Sequence, residues 1–146
     1  MHILVTGDSN LPLVFNVDQP VGEGCPNRPD DVLLVQFLIK RAAEKGTMAG
    51  KQDQKRRMLA VPQTGYCDAA TVDGIRAVQE YLQNKGGATP DGRITPSSST
   101  TRFGNHVFTI GNLNSTVRHH HPDEWPRLQD IDGCPSGIKE RIKTLL

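Results

Sequence analysis

Between Asn27 and Gly46 the chain spells out one helix with enough apolar surface to organise a domain around it. Pro29 suits a first helical turn, Asp30 and Asp31 put negative charge at the positive end of the helix dipole, and Asn27 precedes them as an acceptor for an orphan amide. Lys40, Arg41 and Lys45 sit near the other end, and Gly46 is the expected stop. Leu34, Phe37, Leu38 and Arg41 share one face, flanked by Val35, Ile39 and Ala42. So wide an apolar arc requires burial, and the rest of the chain must cover it.

The covering elements follow from shorter patterns. A second helix is expected from Asp68 through Val72, Ile75, Val78 and Leu82 to a stop at Gly86-Gly87. Thr89-Pro90-Asp91-Gly92 signals a turn. Ser136 is the expected N-cap of a C-terminal amphipathic helix carrying Ile138, Ile142, Leu145 and Leu146. Ile3-Leu4-Val5 and the alternating Leu13, Phe15 and Val17 flank a turn-rich Thr6-Gly7-Asp8-Ser9-Asn10, which predicts a β-hairpin. His106-Val107-Phe108-Thr109-Ile110 is a β-branched and aromatic run that reads as a third strand pairing with the hairpin. Thr47 to Gln63 reads as a long, solvated and mobile connection, with Lys51, Lys55, Arg56 and Arg57 against Asp53 alone. The expected architecture is α+β, mainly α, in a single domain over residues 1–146. It comprises a hairpin arm (1–26), a helical core (27–100), and a strand plus C-terminal helix (101–146), with a small antiparallel β-sheet formed by the N- and C-terminal segments.

Composition narrows the classes of function. In 146 residues, 17 Lys and Arg stand against 16 Asp and Glu, so no global field attracts nucleic acid or an anionic membrane. The basic segment Lys51 to Arg57 lacks the interleaved aromatics of a base-stacking surface. The stretches Val32 to Val35 and Phe37 to Ile39 are broken by Gln36 and are far too short for membrane insertion. No basic n-region precedes Ile3 to Val5, so no Sec signal peptide is expected. The expected location is cytoplasmic, or the envelope or exterior by a signal-independent route.

With both helices placed, a family pattern emerges. Asp31-Val32, Val35-Gln36, Leu38, Gly46, then Gly65-Tyr66-Cys67-Asp68-Ala69-Ala70-Thr71, Ile75, Val78-Gln79, Leu82 and Asp91-Gly92-Arg93-Ile94 together resemble the peptidoglycan-binding domain-like family over about residues 27–96. The residues make physical sense as scaffold. Asp68 caps a helix whose first turn holds Thr71, the amides of Gln36 and Gln79 can hold neighbouring loops, and Asp91-Gly92 supplies a positive φ. The chain departs from the family in its long Thr47 to Gln63 connection, in Val78 where the family favours Phe, and in a Ser/Thr cluster, Ser97 to Thr101, where the family has a third helix. The resemblance implies a small helical module that binds bacterial wall glycan or stem peptide near the second helix and the Asp91-Gly92 turn. Tyr66, Arg76, Tyr81 and Arg93 are the candidates to hold it, since a ring can lie on a sugar face and a guanidinium can grip a carboxylate.

Other chemistry is sparse. His119-His120-His121, with Asp123 and His106, draws attention to a metal, but adjacent residues do not face a common point, and a solvated loop is the plainer reading. Cys25, Cys67 and Cys134 form no Cys-x-x-Cys motif. The echo Gly24-Cys25-Pro26 and Gly133-Cys134-Pro135 makes Cys25 and Cys134 a disulfide candidate, with buried free thiols as the alternative. Asn114-Ser115-Thr116 matches a glycosylation sequon. No nucleophile, phosphate-loop or cofactor motif is present. The expectation is therefore a non-catalytic binding module with no cofactor, its partner bacterial peptidoglycan or another protein. The alternatives are an adaptor, phage or contractile-injection component or exported cargo, and a small toxin acting through His119 to Asp123.

Overall fold

In the computed structural model, which describes residues 1–83, 89–98 and 108–145, helix α1 (Pro29–Glu44) forms the axis. Val32, Leu34, Val35, Phe37, Leu38 and Ile39 are wholly buried along it, each worth roughly 1.5–3 kcal/mol of burial for a full-sized side chain. Its start differs from expectation. Asn27 has φ +50° and does not cap the helix, because its amide turns back to bond Gly22 N–H and C=O, both at 2.8 Å. Asp30 and Asp31 in the first turn instead face the Met1 ammonium, at 2.7 and 2.8 Å, with Asp18 joining at 2.9 Å. Buried Asp31 also accepts the amides of Asp18 and Gln19.

Among the described residues the strands form two separate antiparallel ribbons. In the first, β1 (His2–Val5) pairs with β2 (Leu13–Asn16) in the register His2↔Asn16 to Val5↔Leu13, the hairpin the alternation predicts. In the second, β3 (Val21–Gly22) pairs with β4 (Arg93–Ile94).

The expected third strand is not formed where the structure describes it. His106 and Val107 lie outside the described residues, Phe108 is extended, and Thr109 and Ile110 open helix α4 (Thr109–His120). The expected sheet joining N- and C-terminal segments is therefore corrected. A side chain occupies the pairing position at Phe15 of β2: Asn114 accepts Phe15 N–H at 2.9 Å and donates to Phe15 C=O at 3.0 Å, while Asn16, at the end of β2, uses its own side chain to bond the backbone of Ser97 in the same two-way fashion. An amide reproduces one rung of a strand ladder, so a helix can sit where a strand was expected. Asn114 is wholly buried, which removes the sequon from the surface.

A second correction concerns the long connection. Gln52–Leu59 is a helix, α2, docked on α3 (Ala69–Gln83). Arg57 explains the docking: its guanidinium grips the Asp73 carboxylate through Nε at 3.0–3.1 Å and Nη2 at 2.8 Å, and also pairs with Glu80 and with Asp53 one turn back. Arg57 thus binds the helix to its neighbour, whereas Arg56 stays exposed beside Asp53 and Lys55 bonds the Gly46 carbonyl. Just beyond α2, Val61 lies so close to Gly74 of α3 that a Cβ there would stand 2.1 Å from its Cγ2.

Helix α3 begins as expected, with Asp68 Oδ1 accepting the Thr71 amide at 2.8 Å and its hydroxyl at 2.7 Å. The expected Gly86-Gly87 stop lies outside the described residues. After a 3-10 turn at Leu128–Asp130, α5 (Ser136–Leu145) buries Ile138 and Ile142 and packs on α1. Ser136 is its first residue, and the Pro135 carbonyl accepts the amides of Ile138 and Lys139. Among the described residues no helix is long and apolar enough to cross a membrane.

Candidate functional site

Two buried glutamines shape the face around the β3–β4 ribbon. Gln36 Oε1 accepts the amides of Thr64 and Gly65, and Nε2 donates to the Tyr66 carbonyl and the Thr71 hydroxyl, all at 2.9 Å. Gln79 repeats the device: Oε1 accepts the Gly92 amide, and Nε2 donates to Asp91 Oδ1 and the Arg93 carbonyl, again at 2.9 Å. Each amide bolts one loop to one helix, the scaffold role the sequence assigns to both residues. Gly92, with φ +73°, turns the chain beneath Arg76, whose Nε would be 3.0 Å from a Cβ added there.

These bolts decide where the candidate ligand residues lie. Tyr66 is 73% exposed in the loop held by Gln36. Arg76, near Glu23 at 3.6 Å, and exposed Arg93 flank the Gly92 turn. Tyr66 connects to this ribbon through its neighbour Cys67, whose thiol lies near the Gly22 backbone. Tyr81 does not belong to this group: it projects from another side of α3 and lines a cleft described below.

The proposed Cys25–Cys134 bridge is absent, and all three cysteines are free. The Gly-Cys-Pro echo instead marks a repeated turn. Cys25 N–H bonds Gly22 C=O and Cys134 N–H bonds Ile131 C=O, each closing four residues whose third is a positive-φ glycine, Gly24 or Gly133. Burial pushes the Cys134 thiol up to about 11. Burial first, then Asp68 and Cys25, also raise Cys67, so the electrostatic neighbour of Cys25 is Cys67.

The histidines end α4. His119 and His120 have ring centroids 5.7 Å apart, and the His121 amide closes the helix onto Val117 C=O at 2.9 Å. Burial, then the neighbouring His119, His121 and Lys45, lowers His120; burial and then Lys45 lowers His121. Among the described residues, three ligand atoms come within 4.8 Å of one another only at Asp18, Asp30 and Asp31, where the Met1 ammonium already sits. The three imidazoles are not gathered into such a set. Asp123 is exposed in the turn after α4, its carbonyl held by Arg127.

The pattern reading missed a cleft of about 800 Å³ at the meeting of α1, α2, α3 and α4. Ala42, Met48, Met58, Val78, Leu82 and Leu113 give it apolar walls; Lys45, Tyr81, Asn112, Ser115, Thr116, His119 and His120 supply polar groups. Ser115 and His119 also border a second cleft of about 670 Å³, between the hairpin turn and Trp125. Neither could be foreseen without α2 and α4. Compared with family models, curated proteins and solved structures, the chain matches none.

Proposed function

We propose that this chain is a non-catalytic binding module that engages bacterial wall glycan or stem peptide through the face around the β3–β4 ribbon. The observation that carries the reading is the pair of glutamine bolts, which hold the Tyr66 loop and the Asp91-Gly92-Arg93 turn on the two central helices. It supports an exposed ring for the face of a sugar, with Arg76 and Arg93 for a carboxylate of the stem peptide. Tyr81 is dropped from the group because it faces the cleft.

Sedimentation with purified sacculi tests the proposal. Wild-type chain pellets with the wall, and joint replacement of Tyr66, Arg76 and Arg93 by alanine releases it while leaving the circular dichroism unchanged. Wild type remaining in the supernatant overturns the reading. A second reading, an adaptor or injection-machine component that keeps the scaffold without wall binding, is favoured by α4, which lies outside the stretch of resemblance and walls two clefts. Failure to pellet, together with a saturable complex with a defined envelope or injection-machine protein, would select it.

A further inference from the structure

We infer that the cleft between α1, α2, α3 and α4 is a binding site for a free single-chain anionic amphiphile, a linear alkyl carboxylate being the simplest example. This inference is independent of the wall-binding reading and uses a different face of the molecule.

Its volume, about 800 Å³, falls within the roughly 300–1,000 Å³ of small-molecule sites. The interior is suited to an alkyl chain: Met48 and Met58 are buried thioethers facing Val78, Leu82 and Leu113, and methionine adapts its shape to a flexible ligand.

The charge at the mouth has one sign. Lys45 is the cation, His119 and His120 border it, and no carboxylate lines the cleft among the described residues. Lys45 Nζ donates to the His120 carbonyl at 3.1 Å, which places the ammonium over the C-terminal end of α4 and leaves two of its three donors for a headgroup. Lys55 is similarly tied back, to the Gly46 carbonyl at 2.7 Å. Ser115 and Thr116 add hydroxyls along the same wall. The opposite charge, a carboxylate on an apolar tail, complements this arrangement.

The three methionines make the test internal. Met48 and Met58 line the cleft, whereas Met1 is buried at the aspartate cage. In full-length protein labelled at the methionine methyls, submicellar dodecanoate shifts the Met48 and Met58 signals saturably and leaves Met1 in place. Dodecyltrimethylammonium, of equal tail and opposite charge, binds at least about tenfold more weakly. Lys45→Gln weakens dodecanoate by about tenfold and leaves dodecan-1-ol unchanged, while Lys45→Arg retains dodecanoate. Ser115→Trp, at an exposed position on the wall, blocks all three probes without unfolding the chain. The inference is overturned if Met48 and Met58 do not respond, if cation and anion bind alike, or if Lys45→Gln has no effect. It is also overturned if the chain binds anionic phospholipid vesicles but not free dodecanoate, which would assign the chemistry to a membrane surface.

Discussion

Replacing Gln36 by leucine removes a side chain of similar size and all four of its hydrogen bonds at 2.9 Å. Two of the partners are covered without it. The Tyr66 carbonyl keeps the Asp68 amide at 3.1 Å, and the Thr71 hydroxyl keeps Asp68 Oδ1 at 2.7 Å. The amides of Thr64 and Gly65 lose their acceptor, at about 1–3 kcal/mol for each buried orphan. The loop borders solvent, so water relieves part of that cost, and burial of the leucine offsets a little more. The net expectation is a loss of about 2 kcal/mol, or a fall in Tm of roughly 4–8 °C for a domain of this size. Urea unfolding of Gln36→Leu measures it. Amide exchange locates it: Thr64 and Gly65 lose protection while the α5 amides keep theirs. A stability change below about 0.5 kcal/mol, or exchange that rises evenly along the chain, refutes the bolt argument.

Other expectations are equally specific. Burial alone would raise Asp18 and Asp30, but the hydrogen bond and charge of the Met1 ammonium, joined by His2 at Asp18 and by the Asp31 amide and Arg28 at Asp30, together outweigh it and hold both below the ordinary value of 3.8; the ammonium itself is raised above 8.0 because Asp30, Asp31 and Asp18 together outweigh its own burial. The carboxylate contribution is present above pH 3.8 and lost as pH falls through the lowered values; the ammonium contribution is present below pH 8.0 and lost as pH rises through the raised one. Urea midpoints across pH therefore decline at both edges, and Asp31→Asn flattens the alkaline one. Gly74→Ala sets a methyl against Val61 and costs about 1–3 kcal/mol by overpacking despite the better helix propensity; adding Val61→Ala recovers part of the loss in thermal melts. With diamide, peptide mapping finds Cys25 joined to Cys67 and not to Cys134, and in native protein Cys134, buried with its pKa near 11, is the last of the three to be alkylated.

The elements that the sequence discloses are those whose signal is local. The hairpin alternates, α1 and α3 carry apolar residues at helical spacing, and Asp68 and Gly92 perform their capping and turning roles within a few residues. The glutamine bolts are legible for the same reason, since each stands beside apolar positions where only a bonded amide is tolerated. Helix α2 is hidden because Met58 is its one buried residue and Arg57 finds Asp73 and Glu80 only after α3 is in place. Helix α4 is hidden because its start overlaps a β-branched run and its buried side includes Asn112 and Asn114, polar residues whose burial makes sense only once their backbone partners are known. The cleft needs both hidden helices, so of its polar lining the sequence presents Tyr81 for another surface, Lys45 as a helix end, and His119 and His120 as metal candidates.

Asn114, standing where a strand would lie beside β2, has a consequence for how the chain behaves among its own copies. A two-stranded ribbon normally presents a row of free donors and acceptors on which a second molecule can lay down a strand of its own. Here Asn114 occupies the rung at Phe15, so an incoming strand would have to displace a buried amide that cannot be extended into a fibre, while Asn16, from β2 itself, ties the end of the strand to the backbone at Ser97. Removing the Asn114 amide unveils a template for self-assembly as well as weakening the native packing.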